Sequence, residues 1–291
     1  MIFLVTGASG QLGKSFINFF KKNKISYIGF TRNELDITDF SHMESVLNAI
    51  NFDVLINAAA YTKVDLAEDE PDIADAINHL APGNLAHMCK KLNKLMVHFS
   101  TDYVFDGKSS TPYQPGHLTS PINVYGKSKL LGELEISASG CRHIIFRTSW
   151  VFSEHPGNFL TTILRIANKQ EALDVVTDQI GSPTYATHIV ETVYALLNKD
   201  SDLKQSIFHL GGYPEASWYE FAEEILSCAS QEQLLKDAPI LNPVTAQHFH
   251  HVASRPNYSI LDSSDLDKHL GREKNLWKFG VRAAIQSIIH S

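Results

Sequence analysis

The first half of the chain alternates short apolar runs with longer amphipathic segments, and this alternation limits the possible folds more than any other feature. Five runs have the length and composition of buried strands, and they cover residues 2–6, 25–30, 52–57, 95–100 and 143–149. The intervening helical segments are 14–22, 39–50, 73–92 and 125–137. Such repetition predicts an α/β fold whose doubly wound, mainly parallel sheet carries helices on both faces.

Composition excludes several classes of protein. The net charge of −7 argues against a protein that grips a phosphate backbone, so no nucleic-acid partner is expected. No apolar run approaches the roughly 18 residues that span a membrane, and residues 1–5 are typical of a buried strand rather than a signal peptide. Three separated cysteines indicate neither a disulfide framework nor a zinc site. We therefore expect a cytoplasmic protein without a membrane partner.

A glycine-rich turn separates the first predicted strand from the first predicted helix. Gly7, Gly10 and Gly13 have the spacing GxxGxxG. Glycine permits a tight turn and lets the backbone approach a pyrophosphate, while the helix that follows offers unpaired N–H groups. At this position the turn favours a Rossmann-type dinucleotide cleft over a turn without a ligand. The residues predicted to contact the cofactor are Gly7 and Gly10 in this turn, Asp36 and Ile37 near the adenine, and the small residues Ala58 and Ala60 beside the bound cofactor.

The end of the second predicted strand distinguishes NAD from NADP. Where NAD-binding folds place a carboxylate on the ribose 2′-hydroxyl, this sequence reads Phe30-Thr31-Arg32-Asn33. Arg32 suits a 2′-phosphate, which favours NADPH as the cofactor, with NADH as the alternative. The competing interpretation of Arg32 is a solvated loop residue.

The second half of the sequence is less regular. Its predicted elements are helices at 159–168, 187–198 and 218–229 and a strand at 206–210. We expect a NAD(P)-binding Rossmann domain over residues 1–150, onto which later segments at about 175–210 pack back. Most of residues 151–291 are expected to form a smaller, discontinuous substrate-binding lobe.

A tyrosine and a lysine one helical turn apart suggest acid–base chemistry. Tyr125 and Lys129 share a helix face, and Thr101 ends the preceding strand. A nearby ammonium, helped by an oxidised nicotinamide ring, is expected to lower the pKa of the tyrosine from about 10 towards roughly 7. Tyr125 would protonate a carbonyl oxygen as hydride arrives, while Thr101 holds that oxygen and Lys129 holds the nicotinamide ribose. The alternative, a surface tyrosine beside a solvated lysine, fits the order of the motifs less well.

The motifs together resemble the extended short-chain dehydrogenases/reductases and, within them, the dTDP-4-dehydrorhamnose reductase family. They span nearly the whole chain in family order, at 10–13, 35–39, 57–65, 100–107, 123–129, 147–152, 178–184 and 255–256. The resemblance implies reduction of the C4 ketone of dTDP-4-dehydro-L-rhamnose to dTDP-L-rhamnose, with Tyr125 as proton donor. The protein would then serve dTDP-rhamnose and polysaccharide biosynthesis.

Family positions carry over to this sequence residue by residue. Those implied for the cofactor are Gly10, Gln11, Leu12, Asp36, Ile37, Ala60, Tyr61 and Thr62. Those implied for the sugar are Thr101, Asp102, Tyr125 and Trp150, and Lys129 serves both ligands. Arg255 is expected on the substrate diphosphate, which suits a guanidinium fork. Substrate stacking is preferred for Trp150 over core packing.

Two positions depart from the family pattern. Tyr258 stands where the family has asparagine, which leaves a different nucleotide-linked 4-ketosugar open as the substrate. Some members bind Mg²⁺ between subunits through carboxylates, but the matching residues here are Ser15 and Thr187, so no metal site is predicted. Analogy with the family also suggests a homodimer.

A histidine cluster, an acidic segment and a possible regulatory role remain to be interpreted. His248, His250 and His251 lack metal-ligand spacing and are expected in a solvated or substrate-side loop. The acidic segment 65–72 is expected to be a solvated face. A non-catalytic NADP-binding regulatory subunit also fits the fold, although such a subunit has no need of an acid and its tuning lysine together.

Overall fold

A computed structural model describes residues 1–199 and 205–290 of the chain. Its strands are β1 Phe3–Thr6, β2 Tyr27–Phe30, β3 Val54–Asn57, β4 Leu95–Thr101, β5 Arg142–Thr148, β6 Val151–Phe152, β7 Ala172–Val176, β8 Ile180–Gly181, β9 Thr184–Tyr185, β10 Gln205–Leu210, β11 Ala216–Ser217 and β12 Ile240–Val244. Its α-helices are α1 Gln11–Lys22, α2 Phe40–Ala49, α3 Leu66–Asp69, α4 Pro71–Asp75, α5 Ala81–Lys91, α6 Val124–Ala138, α7 Phe159–Ala167, α8 Ala186–Lys199, α9 Trp218–Gln231, α10 Ser264–Leu270 and α11 Trp277–Ile289.

Six strands form one parallel sheet in the order β10-β5-β4-β3-β1-β2. Because side chains alternate across a strand, Phe3 and Val5 pack into one apolar core while Leu4 packs into the core on the opposite face. Helices α1, α8 and α10 cover the first face, and α2, α5 and α6 cover the second. The predicted doubly wound, mainly parallel sheet is thus confirmed. Its strand order reverses between β1 and β3, which is where such sheets open a crevice for ligands.

A third apolar core lies beyond the sheet. Helices α7, α9 and α11 surround it, with Phe221 and Trp277 fully buried at its centre. Strands β7 and β12 pair parallel to each other and also contact α9. Within the stretch 175–210, α8 packs on α1 and β10 extends the sheet, whereas residues 200–204 lie outside the described residues. No helix in the described parts of the chain is long and apolar enough to cross a membrane.

The helix predicted over 73–92 is interrupted. A π-helical turn, Ala76–Leu80, separates α4 from α5. Within this turn, the Asn78 side chain accepts a hydrogen bond from Tyr61 N at 2.9 Å and donates one to Tyr61 O at 2.9 Å. The turn also brings Asn78 O so close to α6 that a Cβ on Gly132 would lie 2.2 Å from it. The helix is interrupted where these tertiary contacts form, and they cannot be predicted from the local spacing of apolar residues.

Replacing Gly132 by alanine is predicted to destabilise the fold. Alanine in a helix interior normally gains up to about 1 kcal/mol over glycine. Here the new methyl group would meet the backbone oxygen of Asn78, so we expect a net loss of about 2 to 3 kcal/mol in the free energy of unfolding. Urea unfolding measures this change. Gly116→Ala is the control, because no atom lies within 4 Å of a Cβ there, and a similar loss in both variants would contradict the explanation.

Candidate active site

A cleft follows the carboxyl ends of the central strands. One part of it, about 640 Å³, lies between the glycine turn, residues 35–37 and the residues after β3. The adjoining part, about 1190 Å³, runs from the start of α1 past β4 to the residues after β5. Gly10, Ala58 and Ala60 line both parts, so the cleft is continuous.

The glycine turn brings two backbone segments together at the floor of the cleft. Gly7 has a φ of +68°, and a Cβ there would lie 2.6 Å from Ala59 N. A Cβ on Gly13 would lie 2.1 Å from Gly7 O. Among the described residues no side chain caps the N-terminus of α1, and its first turn carries no acidic residue. The backbone N–H groups and the positive end of the helix dipole therefore suit a dinucleotide pyrophosphate.

The predicted adenosine side of the cleft has a charged rim and an apolar floor. Ile37 is buried, whereas Arg32 is exposed, with its Nε 3.4 Å from Asp36 Oδ2. Hydrogen bonds from the Thr38 hydroxyl and backbone N–H lower the pKa of Asp36. The predicted cofactor residues that line this part are Gly7, Gly10, Arg32, Asp36, Ile37, Ala58 and Ala60.

Two residues predicted to contact the cofactor have other side-chain partners. Gln11 lines the cleft, but its amide donates to Val151 O at 3.0 Å and accepts from Ser153 Oγ at 3.0 Å and Asn158 Nδ2 at 2.6 Å. Tyr61 lies outside both cleft linings, and its hydroxyl donates to Glu70 Oε2 at 2.7 Å. The loop after β6, to which Gln11 is tied, shows no motif in the sequence.

The larger part of the cleft brings the predicted reacting groups together. The predicted residues that line it are Gly10, Gln11, Leu12, Ala58, Ala60, Thr62, Thr101, Asp102, Tyr125, Lys129 and Trp150. Tyr125 and Lys129 project from the first turns of α6, which is capped by the Asn123 side chain accepting from Gly126 N at 2.7 Å. Glu68 accepts a second hydrogen bond, from Val124 N at 2.9 Å. The helix start is thus anchored from two sides.

Lys129 is buried despite its charge. Its Nζ donates to Phe99 O at 2.6 Å and lies 3.4 Å from His98 Nε2. Burial lowers the pKa of Lys129 to about 8, and the Glu133 carboxylate opposes this only in part.

Tyr125 shows the opposite of the expected pKa shift. Burial raises its pKa to about 12, the charge of Asp102 adds to this, and a hydrogen bond with Thr101 opposes it. The expected fall towards 7 is therefore not seen in this structure, because burial is the largest influence on the phenol and the Lys129 Nζ is engaged by the Phe99 carbonyl. At neutral pH the side chain is a protonated phenol.

Asp102 is a buried carboxyl beside this phenol. Burial raises its pKa to about 6, although the nearby Ser259 and Thr101 hydroxyls favour the charged form. Thr101 Oγ1 donates to Asp102 Oδ1 at 2.9 Å. The hydroxyls of Ser100 and Thr148 are buried in the cleft wall without a hydrogen-bond partner in the described part of the chain. Unsatisfied buried hydroxyls of this kind fit a site completed by a polar ligand.

Trp150 lies between the cleft and the third apolar core. Its φ of 46° is unusual for a bulky residue, and its indole stacks on Trp218 at a centroid distance of 3.5 Å and an angle of 9°. A Cβ on Gly181 would lie 2.3 Å from Trp150 Cε2, so the ring needs a glycine there. The ring lines the cleft, but Trp218 already covers one of its faces. The sequence favours substrate stacking for Trp150, and it contains no signal for the stacking of Trp150 on Trp218.

The acidic segment 65–72 is not simply a solvated face, and that expectation is wrong for three of its residues. Asp65 Oδ2 lies 2.6 Å from Arg255 Nη2, while Glu68 and Glu70 accept the hydrogen bonds from Val124 N and Tyr61 described above. Arg255 itself lies outside both cleft linings. The segment thus holds the start of α6 and the loop before Tyr258 in place.

The remaining predicted features lie away from the cleft. His248 Nε2 is 3.0 Å from Asp174 Oδ2, and His251 Nδ1 is 3.9 Å from Asp65 Oδ2. Tyr258 packs beside a small apolar cluster that includes Phe105. Across residues 1–199 and 205–290, no three His, Cys, Asp or Glu side chains are grouped as metal ligands.

Comparison with known proteins adds to this geometry. Residues 1–289 match the family model described as the RmlD substrate binding domain. The chain belongs to this family. It is 37% identical over 283 residues to the dTDP-4-dehydrorhamnose reductase of Aggregatibacter actinomycetemcomitans, covering 96% of each chain.

Solved structures agree with the family assignment. The dTDP-4-dehydrorhamnose reductase of Bacillus anthracis, solved in complex with NADP, superposes with a TM-score of 0.91 at 33% identity, covering 98% of this chain and 99% of that one. The corresponding Clostridium acetobutylicum protein superposes with a TM-score of 0.92 at 31% identity, covering 99% and 100%.

Asp102→Asn is predicted to stabilise the protein at neutral pH. Because the folded-state pKa of about 6 lies above the ordinary value of 3.8, the stability associated with this carboxyl is present at low pH and is lost as pH rises through about 6. At about 1.36 kcal/mol per pH unit, the penalty at pH above 7 is on the order of 2 to 3 kcal/mol. Denaturant unfolding at several pH values measures the gain of the variant over wild type.

Asp106→Asn serves as a control of opposite sign. A hydrogen bond from the Tyr113 hydroxyl lowers the pKa of Asp106, so this carboxylate contributes stability above its ordinary pKa and loses it as pH falls. Asp106→Asn should therefore lose stability at neutral pH. If the effect of Asp102→Asn on stability did not depend on pH, the explanation that the buried Asp102 carboxylate destabilises the fold would be ruled out.

Proposed function

We propose that this protein reduces the C4 ketone of dTDP-4-dehydro-L-rhamnose to dTDP-L-rhamnose. It is an NAD(P)H-dependent oxidoreductase. One observation carries the proposal: Thr101, Tyr125 and Lys129 line a cleft that is continuous with the glycine turn at the start of α1. The named reductases that share this family and fold, one of them solved with NADP, support the same substrate and cofactor.

The first part of the cleft would hold the cofactor, preferably NADPH. The N–H groups at the start of α1 would bind the pyrophosphate, with Gly7 and Gly10 allowing its close approach. Ile37 and Asp36 would bound the adenosine, and Arg32 would meet the 2′-phosphate at the exposed rim. Bound in this way, the reduced nicotinamide supplies a hydride to the ketone carbon.

Tyr125 would donate its phenolic proton to the ketone oxygen. The raised pKa suits this direction of reaction, because the side chain stays protonated at neutral pH until an alkoxide, a far stronger base, develops beside it. The Lys129 ammonium would then stabilise the phenolate that remains, as a nearby cation does in a site with little water. Thr101 would hold the oxygen during the transfer.

The residues around the third apolar core would complete the substrate site on the side of Trp150. Asp102 and Trp150 border the larger part of the cleft, where the sugar would lie. For Arg255 to bind the diphosphate it must exchange its ion pair with Asp65, and its buried Nε has no hydrogen-bond partner in the described residues. Residues 1–150 with α8 and β10 would form the cofactor domain. The homodimer remains a prediction.

The proposal is tested with purified protein, NADPH and dTDP-4-dehydro-L-rhamnose, beside a panel of other nucleotide-linked 4-ketosugars. We expect cofactor oxidation with this substrate above the others. Tyr125→Phe should lower kcat by about 100- to 10,000-fold while NADPH affinity stays nearly unchanged, because only the transferable proton is removed.

Tyr113→Phe is the matched control for this substitution. It also removes one buried tyrosine hydroxyl, which donates to Asp106 away from the cleft, and should leave turnover close to wild type. Full activity of Tyr125→Phe would refute the proton-donor role. Preference for another ketosugar would correct the substrate, and no turnover with any of them would favour a regulatory subunit.

Arg32→Ala should weaken NADPH more than NADH. A charge-assisted hydrogen bond is worth about 1.5 to 3 kcal/mol, and Arg32 is exposed, so we expect roughly a tenfold rise in KM for NADPH. KM for NADH should hardly change, because NADH lacks the 2′-phosphate. Lys21→Ala is the control for net charge, because it removes a different exposed cation, which lies on α1. Equal effects on both cofactors would show that Arg32 does not read the phosphate.

A further inference from the structure

His98 is fully buried directly beneath the cleft and has no part in the chemistry described so far. The sheet register aligns it with two polar residues on neighbouring strands: Thr6 of β1 pairs with Asn57 of β3, and Asn57 pairs with His98 of β4. All three side chains are buried, and Lys129 of α6 lies at the end of the row. Four polar side chains thus form one continuous chain beneath the reacting groups.

Hydrogen bonds fix the orientation of Asn57 in this row. Its Oδ1 accepts from the Thr6 hydroxyl at 2.7 Å and from Ala59 N at 3.3 Å. A backbone N–H can only donate, so the oxygen end of the amide must face Ala59. The other end, Nδ2, therefore faces His98 Nδ1 at 3.1 Å and donates to it.

The orientation of Asn57 determines the tautomer of His98. A neutral imidazole carries one hydrogen, and since Nδ1 accepts, the hydrogen must be on Nε2. His98 stays neutral because burial and the nearby Lys129 and His143 hold its pKa well below the usual range. The Nε2–H points to Lys129 Nζ, 3.4 Å away. A neutral amine offers a lone pair to this N–H, whereas an ammonium offers only hydrogens.

We propose that His98 is a positioning residue for Lys129, held by Thr6 and Asn57 with its Nε2–H facing the amine, so that the resting lysine is partly neutral and takes up a proton when a cofactor in the cleft provides acceptors. This inference rests on the proposed function of Lys129. It adds that cofactor binding and lysine protonation are coupled, because the buried hydrogen-bond chain from Thr6 to His98 sets the state of Lys129 before the cofactor binds.

The charged groups around Lys129 only partly offset the effect of His98 on the protonation of this lysine. On α6, Glu133 favours the ammonium, but its carboxylate is already bound by Arg147 of β5, with Nη2–Oε2 at 2.7 Å and Nε–Oε1 at 3.0 Å. Tyr125 is an uncharged phenol at neutral pH. His143, on β5, faces His98 and lowers its pKa, and Asp102 follows β4 near Tyr125. With a pKa of about 8, Lys129 is partly neutral in mildly basic solution, and new hydrogen-bond acceptors in the cleft would favour its ammonium form.

Histidine ring NMR tests the tautomer on the wild-type protein without any assay of activity. Long-range ¹H–¹⁵N spectra should show His98 with a bare Nδ1 and a protonated Nε2. His209 is an internal reference of the opposite kind, because its Nδ1 lies 2.8 Å from the Tyr113 carbonyl and must donate to it. His98→Asn and His209→Asn assign the two signals by their loss. A proton on Nδ1 of His98, or a doubly protonated ring, overturns the proposal.

Calorimetry of NADPH binding in buffers of different ionisation enthalpy tests the coupling. With a lysine pKa of about 8, roughly half a proton should be taken up per cofactor bound at pH 8. In His98→Asn the side-chain oxygen can still accept from Asn57 but no N–H faces the lysine, so proton uptake should fall by at least about half. His209→Asn should bind NADPH with the uptake of wild type.

Each outcome separates this inference from the function on which it rests. Undiminished uptake in His98→Asn refutes the role of His98 while leaving the reductase intact. Failure of the wild type to bind NADPH refutes the proposed function instead. If His98→Asn does not fold, Asn57→Asp serves in its place, because a carboxylate accepts where the amide donated and should move the His98 proton to Nδ1.

Discussion

Charged groups buried between α6 and the sheet impose the constraint on which the site depends. Arg147 and Glu133 form a bidentate pair there, and the guanidinium also donates to Pro115 O at 3.1 Å. Lys129 lies one turn before Glu133, with a backbone carbonyl as its main partner. Charges removed from water are tolerated only when they are paired in good geometry, and losing one partner of such a pair costs about 3 to 5 kcal/mol. The position of α6 is therefore closely defined, and with it the positions of Tyr125 and Lys129.

The rest of the fold supports the same helix by close approach. Two glycines on α6 face backbone oxygens, since a Cβ on Gly126 would lie 2.2 Å from Tyr103 O and one on Gly132 would lie 2.2 Å from Asn78 O. The Asn123 cap and Glu68 secure its first turn. A reaction that moves one proton over hydrogen-bond distance requires α6 to be placed this accurately. The buried charged groups between α6 and the sheet provide that placement at a cost in stability.

Sequence reasoning anticipated the features that depend on local pattern. Apolar spacing predicts the parallel sheet, the glycine turn predicts a close approach at Gly7, and a four-residue separation places Tyr125 and Lys129 on one face. The direction of the Tyr125 pKa shift could not be predicted in this way, because burial depends on residues distant in sequence. The same holds for the ion pair between Asp65 and Arg255, which joins positions 190 residues apart. Long-range contacts thus account for the errors, whereas the features that could be predicted depend on local pattern.

Gln11 illustrates how one side chain can join two parts of a protein. Its amide forms one hydrogen bond to β6, at Val151, and two to the loop after β6, while its backbone belongs to the first turn of α1. Widening the cleft at this seam would require all three bonds to be exchanged for bonds to water. Gln11 therefore ties the start of α1 to the segment that leads into α7, and a ligand that enters the cleft meets a wall held at this point by three hydrogen bonds.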